Sequence, residues 1–221
     1  MKEGEKMLSK VNSMALHGLD GYLIDVQVDV SNGMPCWEIV GLPDTSVKEA
    51  KERVKTAIKN SGYELLSKRI IINLAPADTK KEGSLFDLPI AIGILEDLGE
   101  IKNESLDKIA FIGELSLDGN INRVNGILPM CIEAKKLGIK TVIVPKENSK
   151  EAAIVNGIEV LGSSNLKEVV KYLNNIKKIE KTYVDLEKIF KKQNKYTLDF
   201  SEVKGQENIK RALEIAAAGR T

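Results

Sequence analysis

Apolar and polar residues alternate with period two where Ile24, Val26, Val28 and Val30 are interleaved with Asp25, Gln27 and Asp29. Successive strand side chains point to opposite faces, so this pattern predicts a strand with one buried and one wet face. Asn32-Gly33 supplies a tight turn, and residues 36–40 (CWEIV) are expected to return as its hairpin partner. After a break at Gly41-Leu42-Pro43-Asp44, Val47, Ala50, Val54, Ala57 and Ile58 recur at helical spacing up to Gly62, a C-terminal cap. Lys48, Glu49, Lys51, Glu52, Arg53 and Lys55 are assigned to the opposite face of that helix, which lies on a sheet.

Residues 69–74 (RIIINL) form a β-branched run of the kind buried on both faces. A polar loop, 76–83, leads to an apolar segment, 85–98, read as a buried helix entered at Ser84 or Phe86. Residues 109–112 read as a short strand and 114–124 as a hairpin about Asp118-Gly119. A helix over 127–137, a strand over 141–144 stopped by Pro145, a helix near 149–155, a strand over 158–161 and a helix over 166–173 then alternate. This alternation predicts parallel pairs with right-handed crossovers beside a hairpin-rich first half. The fold class is therefore α/β with a mixed sheet. Residues 1–7 read as an extension, 8–174 as the domain, 175–197 as a Lys-rich linker with a short amphipathic stretch, and 198–221 as a separate segment.

At 221 residues, 43% hydrophobic and 29% charged, the chain can bury an ordinary core. No apolar run approaches the roughly 20 residues of a membrane span, and residues 1–10 alternate Lys and Glu without an apolar signal region, so a cytoplasmic protein is expected. Cys36 and Cys131 lie far apart without ligand spacing, and neither a disulfide nor a metal is expected. His17, the only histidine, excludes His-based triads and suits a strand edge or turn. Residues 167–195 hold nine lysines against four acids. Lys188, Lys191 and Lys192, with Tyr172, Tyr183 and Tyr196, offer phosphate contacts and stacking groups, or simply a solvated linker surface.

Three segments carry a resemblance: 14–21 (MALHGLDG), 73–90 (NLAPADTKKEGSLFDLPI) and 199–207 (DFSEVKGQE). In this order they resemble the ComM/YifB family of magnesium-chelatase-like AAA+ ATPases. The resemblance implies a Lon-protease-like domain of the ribosomal-S5-like class ahead of a hexameric AAA+ motor that uses ATP and Mg2+. It also implies helicase-type work on branched DNA during uptake and recombination. On the Lon pattern the nucleophile position falls on Leu85 and the base position on Leu128. A Ser–Lys dyad needs a hydroxyl and a partly desolvated amine, so no catalytic residue is assigned. Ser84, one position early, reads as a helix N-cap, with Asp87 favouring the positive helix end. Residues 78–82 read either as a contact surface, with charges exposed beside Phe86, or as a solvated loop.

No Gly-x-x-x-x-Gly-Lys-Ser/Thr string occurs, and no apolar strand ending in Asp-Glu follows. The resemblance places Val203, Gly205 and Gln206 on the adenine side of an incomplete nucleotide site, before a helix over 207–218 expected to fray or dock opportunistically. The motor is expected to be cut short, so this chain alone is expected to hold no cofactor and no metal. Its implied partners are the missing AAA+ module and its ring, with DNA as a candidate and no membrane. The leading expectation is an accessory domain of a DNA-processing motor. The alternative is an oligomerisation or regulatory module that touches no nucleic acid; a Ser–Lys peptidase or a magnesium-chelatase subunit ranks last.

Overall fold

A computed structural model describes residues 8–65, 67–103, 105–185 and 200–219. The chain divides after Val184 into two compact units. The first begins with β1 (Ser9–His17) and β2 (Asp20–Ser31), an antiparallel hairpin in which exposed His17 ends its strand beside the turn. There follow β3 (Cys36–Val40), α1 (Thr45–Asn60), β4 (Arg69–Ala75), α2 (Asp87–Asp97), β5 (Ile109–Phe111), β6 (Glu114–Leu115) and β7 (Ile121–Asn122). The series closes with α3 (Ile127–Lys136), β8 (Thr141–Pro145), α4 (Ser149–Ala152), β9 (Glu159–Ser163) and α5 (Leu166–Leu173).

Seven strands form one mixed sheet in the order β3-β4-β2-β1-β5-β8-β9, and β6-β7 pair separately. The parallel pairs expected in the second half are present as β5-β8 and β8-β9. The hairpin expected between β2 and β3 is not. β4 lies between them, antiparallel to β2 and parallel to β3. A parallel pair needs a crossover rather than a turn, and α1 is the crossover that joins β3 to β4. Both edges of β2 are then filled, one by β1 and one by β4.

Two apolar clusters cover the sheet. Val47, Val54 and Ile58 of α1, Leu88, Ile92 and Leu95 of α2, and Leu166 and Val170 of α5 belong to the first cluster. Ile127, Met130, Cys131 and Ala134 of α3, with Ala152 of α4, belong to the second. In β5, Ile109 and Phe111 join the first cluster while Ala110 joins the second, so this short strand is buried on both faces. β4 is not, contrary to the reading of its apolar run. Ile70, Ile72 and Leu74 are buried, Ile71 and Asn73 only half-buried, and no β4 residue belongs to the second cluster.

The second unit contains a helical turn, Phe200–Glu202, and α6 (Glu207–Ala218), the helix expected there. No residue of α6 is buried, and Ile209, Leu213 and Ile215 are exposed.

Candidate functional site

The loop from β4 to α2, which carries the Lon-like nucleophile position Leu85, is fastened by α1. Asp44 caps that helix, its Oδ1 accepting from the Val47 N–H at 2.7 Å while Oδ2 accepts from the Gly83 N–H at 3.3 Å. The Asp44 N–H donates to the Lys81 carbonyl at 3.0 Å, and the Lys81 N–H to the Leu42 carbonyl at 3.1 Å. Asp44→Ala removes the cap and one fastening of the loop together. An expected loss of about 1–2 kcal/mol should appear as a lower urea midpoint at unchanged slope.

Lys81 is buried, with its ammonium donating to the carbonyls of Pro76 and, at 2.7 Å, Thr79. Burial lowers its pKa below the ordinary lysine value, against the charge of Asp78. A depressed amine is the property a Ser–Lys pair would use. Ser84 is engaged elsewhere: its hydroxyl donates to the Glu114 carboxylate, whose other oxygen accepts from Asn122 Nδ2 at 3.1 Å. Amine and hydroxyl therefore face separate partners. Nor is Ser84 the cap of α2. That position is Phe86, which makes no side-chain cap bond, because the helix opens only at Asp87 and the Ser84 side chain is turned to β6. Asp78, Lys80 and Glu82 are exposed, as either reading of the loop requires, but Phe86 is core and no surface companion to them.

Asp87, the first residue of α2, has no solvent exposure. Arg53 donates to it twice, from Nε at 2.7 Å and Nη2 at 3.0 Å, and the Leu115 N–H donates at 3.2 Å. Arg53 thus departs from the solvated face assigned to it, with 22% of its side chain exposed. Its Nη2 also donates to the Ser46 carbonyl at 3.0 Å. Burial pushes the Asp87 carboxyl up to about 6, although Arg53 and the Leu115 N–H favour its charged form; Glu114 raises it further. One carboxylate thereby joins α1, α2 and the β6-β7 hairpin.

Leu85 is half-buried and packs against both apolar clusters, its carbonyl accepting from the Gly113 N–H at 3.0 Å. Leu128 is half-buried in the first turn of α3. Neither side chain can exchange a proton. Val203, Gly205 and Gln206 are exposed in the second unit, where Gly205 and Gln206 take positive φ before α6. Lys188, Lys191, Lys192 and Tyr196 lie outside the described residues. Within the same basic stretch Lys177 pairs with Glu168 at 3.2 Å and Lys181 with Glu159 at 2.9 Å, so part of its charge is neutralised locally. Among the described residues, no group of three or more His, Cys, Asp or Glu could hold a metal, and no helix is long and apolar enough to cross a membrane. Both cysteines are free, and burial pushes the Cys131 thiol up to about 12.

The sequence reading missed Asp44, Arg53 and Glu114. Asp44 stood three residues before the apolar period began, an N-cap signature. The Arg53–Asp87 and Ser84–Glu114 pairs left no local signal, because 34 and 30 positions separate their members.

The family described as "Subunit ChlI of Mg-chelatase" matches residues 26–148, a span that includes Asp44, Arg53, Asp87 and Glu114. Competence protein ComM of Haemophilus influenzae is 40% identical over 214 residues, covering 96% of this chain and 42% of that protein. The uncharacterized protein YifB of Escherichia coli is 42% identical over 212 residues, 96% of this chain and 41% of that one. Lon protease 2 of Bacillus subtilis is 27% identical over 184 residues, 75% of this chain and 33% of the protease. The chain thus spans about two fifths of the length of the ComM and YifB relatives. The family match over more than half of the chain, with two-fifths identity to both relatives, decides the assignment: this protein belongs to the ComM/YifB family of magnesium-chelatase-like AAA+ ATPases.

Proposed function

We propose that this chain is a non-catalytic accessory domain of a DNA-processing, helicase-type AAA+ motor, with a Lon-protease-like fold of the ribosomal-S5-like class. The observation that carries the non-catalytic half is the division of labour in the β4–α2 loop, together with the residue that holds the base position in α3. Lys81 is spent on backbone carbonyls, Ser84 on Glu114, and the two dyad positions hold Leu85 and Leu128. Such a loop holds elements in place and does not cleave peptides. ATP and Mg2+ would act in the AAA+ module of a full-length family member. The competence label of the Haemophilus influenzae relative and the basic 167–195 stretch support DNA as the substrate.

Fluorescence anisotropy with a four-way branched DNA tests this reading on the full chain. Binding is expected at low salt, with log affinity falling against log salt by a slope of about −3 if three lysines contact phosphate. Lys→Glu changes at 188, 191 and 192 should abolish it. No binding at low salt removes the DNA half, and casein hydrolysis sensitive to Ser84→Ala removes the non-catalytic half. The exposed Ile209, Leu213 and Ile215 of α6 favour a second reading, an oligomerisation or regulatory module. Light scattering that gives a hexamer without DNA binding would select it.

A further inference from the structure

At the outer edge of the sheet a cavity of about 160 Å³ lies between β3, α1 and the segment that enters β4. Lys51, Lys55 and Lys68 line it together with Trp37, Cys36 and Ser67, and no carboxylate does. Lys51 and Lys55 stand one turn apart on α1, where like charges repel. Neither has an ion pair among the described residues. Lys68 Nζ donates to Asn32 Oδ1 at 2.9 Å, a neutral partner that fixes the ammonium without cancelling its charge.

A single oxyanion would neutralise the clustered cations and accept from their ammonium groups. Lysine is a compact point charge suited to phosphate, and three of them exceed what one carboxylate requires. The volume has room for a phosphate group, and the open mouth lets the rest of a nucleotide or strand lie outside. We infer that this pocket binds the phosphate group of a nucleoside phosphate, supplied either as a free nucleotide or by a nucleic-acid strand. The inference goes beyond the DNA-processing reading and uses none of Lys188, Lys191 or Lys192.

Trp37 is the only tryptophan in the chain, so its emission reports on this pocket alone. Inorganic phosphate, AMP and a short 5′-phosphorylated oligothymidine are titrated separately into the full chain at low salt. A saturable change in Trp37 emission is expected, weakened about tenfold or more in Lys51→Gln/Lys55→Gln and again as salt rises. Bound ligand should also slow alkylation of half-buried Cys36, while buried Cys131 stays unreactive throughout. Response to AMP and phosphate identifies a free nucleotide as the source; response to the oligonucleotide alone identifies the strand. Both support the pocket. Three flat titrations overturn it, as does a response unchanged in Lys51→Gln/Lys55→Gln and in Lys68→Gln, with folding of each variant checked by circular dichroism. Branched-DNA binding that survives beside a flat Trp37 signal overturns the pocket and leaves the DNA-processing reading standing. Loss of that binding on charge reversal at 188, 191 and 192, with the Trp37 response intact, leaves the pocket in place.

Discussion

Arg53→Met should lower the unfolding free energy at pH 7.5 by about 3 kcal/mol, and by less at pH 5. The substitution keeps most of the side-chain volume but leaves Asp87, which has no solvent exposure, without its cationic partner. The loss falls at the lower end for a broken buried pair because the stranded carboxylate can protonate. With roughly 2–4 °C per kcal/mol in a chain of this size, the melting temperature should drop by about 6–12 °C.

The pH dependence follows from the raised carboxyl. Asp87 has a folded-state pKa of about 6, against about 3.9 unfolded. Between these values the folded state binds more protons than the unfolded state, so stability rises as pH falls from about 6 to about 4. The full shift is worth about 3 kcal/mol. In Arg53→Met the folded pKa moves higher, so acidification begins to help at higher pH. Asp87→Asn cannot titrate and should remove this contribution, while its carboxamide oxygen still accepts from the Leu115 N–H. Urea unfolding of wild type, both single variants and the double variant at pH 5 and pH 7.5 measures the coupling. Equal pH profiles for wild type and Asp87→Asn would show that the carboxyl carries no such shift.

Gly41→Ala should cost about 2–5 kcal/mol, the sum of a left-handed backbone and an overpacked contact. Gly41 follows β3 with φ +97°, and a Cβ there would lie 2.2 Å from the Leu74 carbonyl oxygen. The obstacle is backbone, so no rotamer change relieves it. Gly83→Ala separates the two causes. Gly83 has a similar φ, +86°, with nothing within 4 Å of the added carbon, and should lose only about 1–2 kcal/mol. Equal losses at the two sites would refute the steric account. Because Trp37 lies on β3, Gly41→Ala should also shift its emission to the red as the edge strand loosens from β4, and Gly83→Ala should not.

The sequence by itself determined the local elements wherever one periodicity ran without a competitor. Val47, Ala50, Val54, Ala57 and Ile58 recur on one helical face, and α1 follows. Leu166–Leu173 between Asn165 and Asn174 gives α5 with the bounds read from its pattern. Asp118-Gly119 turns β6 into β7. Family membership was legible too, because residues 73–90 form a long, unusual string whose identity does not depend on folding.

Only the tertiary structure decided the neighbours. Asn32-Gly33 looks the same to β3 whether the strand returns on β2 or crosses to pair with a later one. The choice fell to β4, whose Ile70, Ile72 and Leu74 complete the face of β2. The same rule governs the site. Arg53 belongs to a charged helix face until Asp87, 34 positions away, is placed beneath it, and Ser84 is a ready N-cap until Glu114 arrives on β6. Lys81 sits in a polar loop whose fold supplies two carbonyls to a buried amine. Periodicity records which face of an element avoids water; it carries no information about which distant polar group will meet a charge once that face is buried.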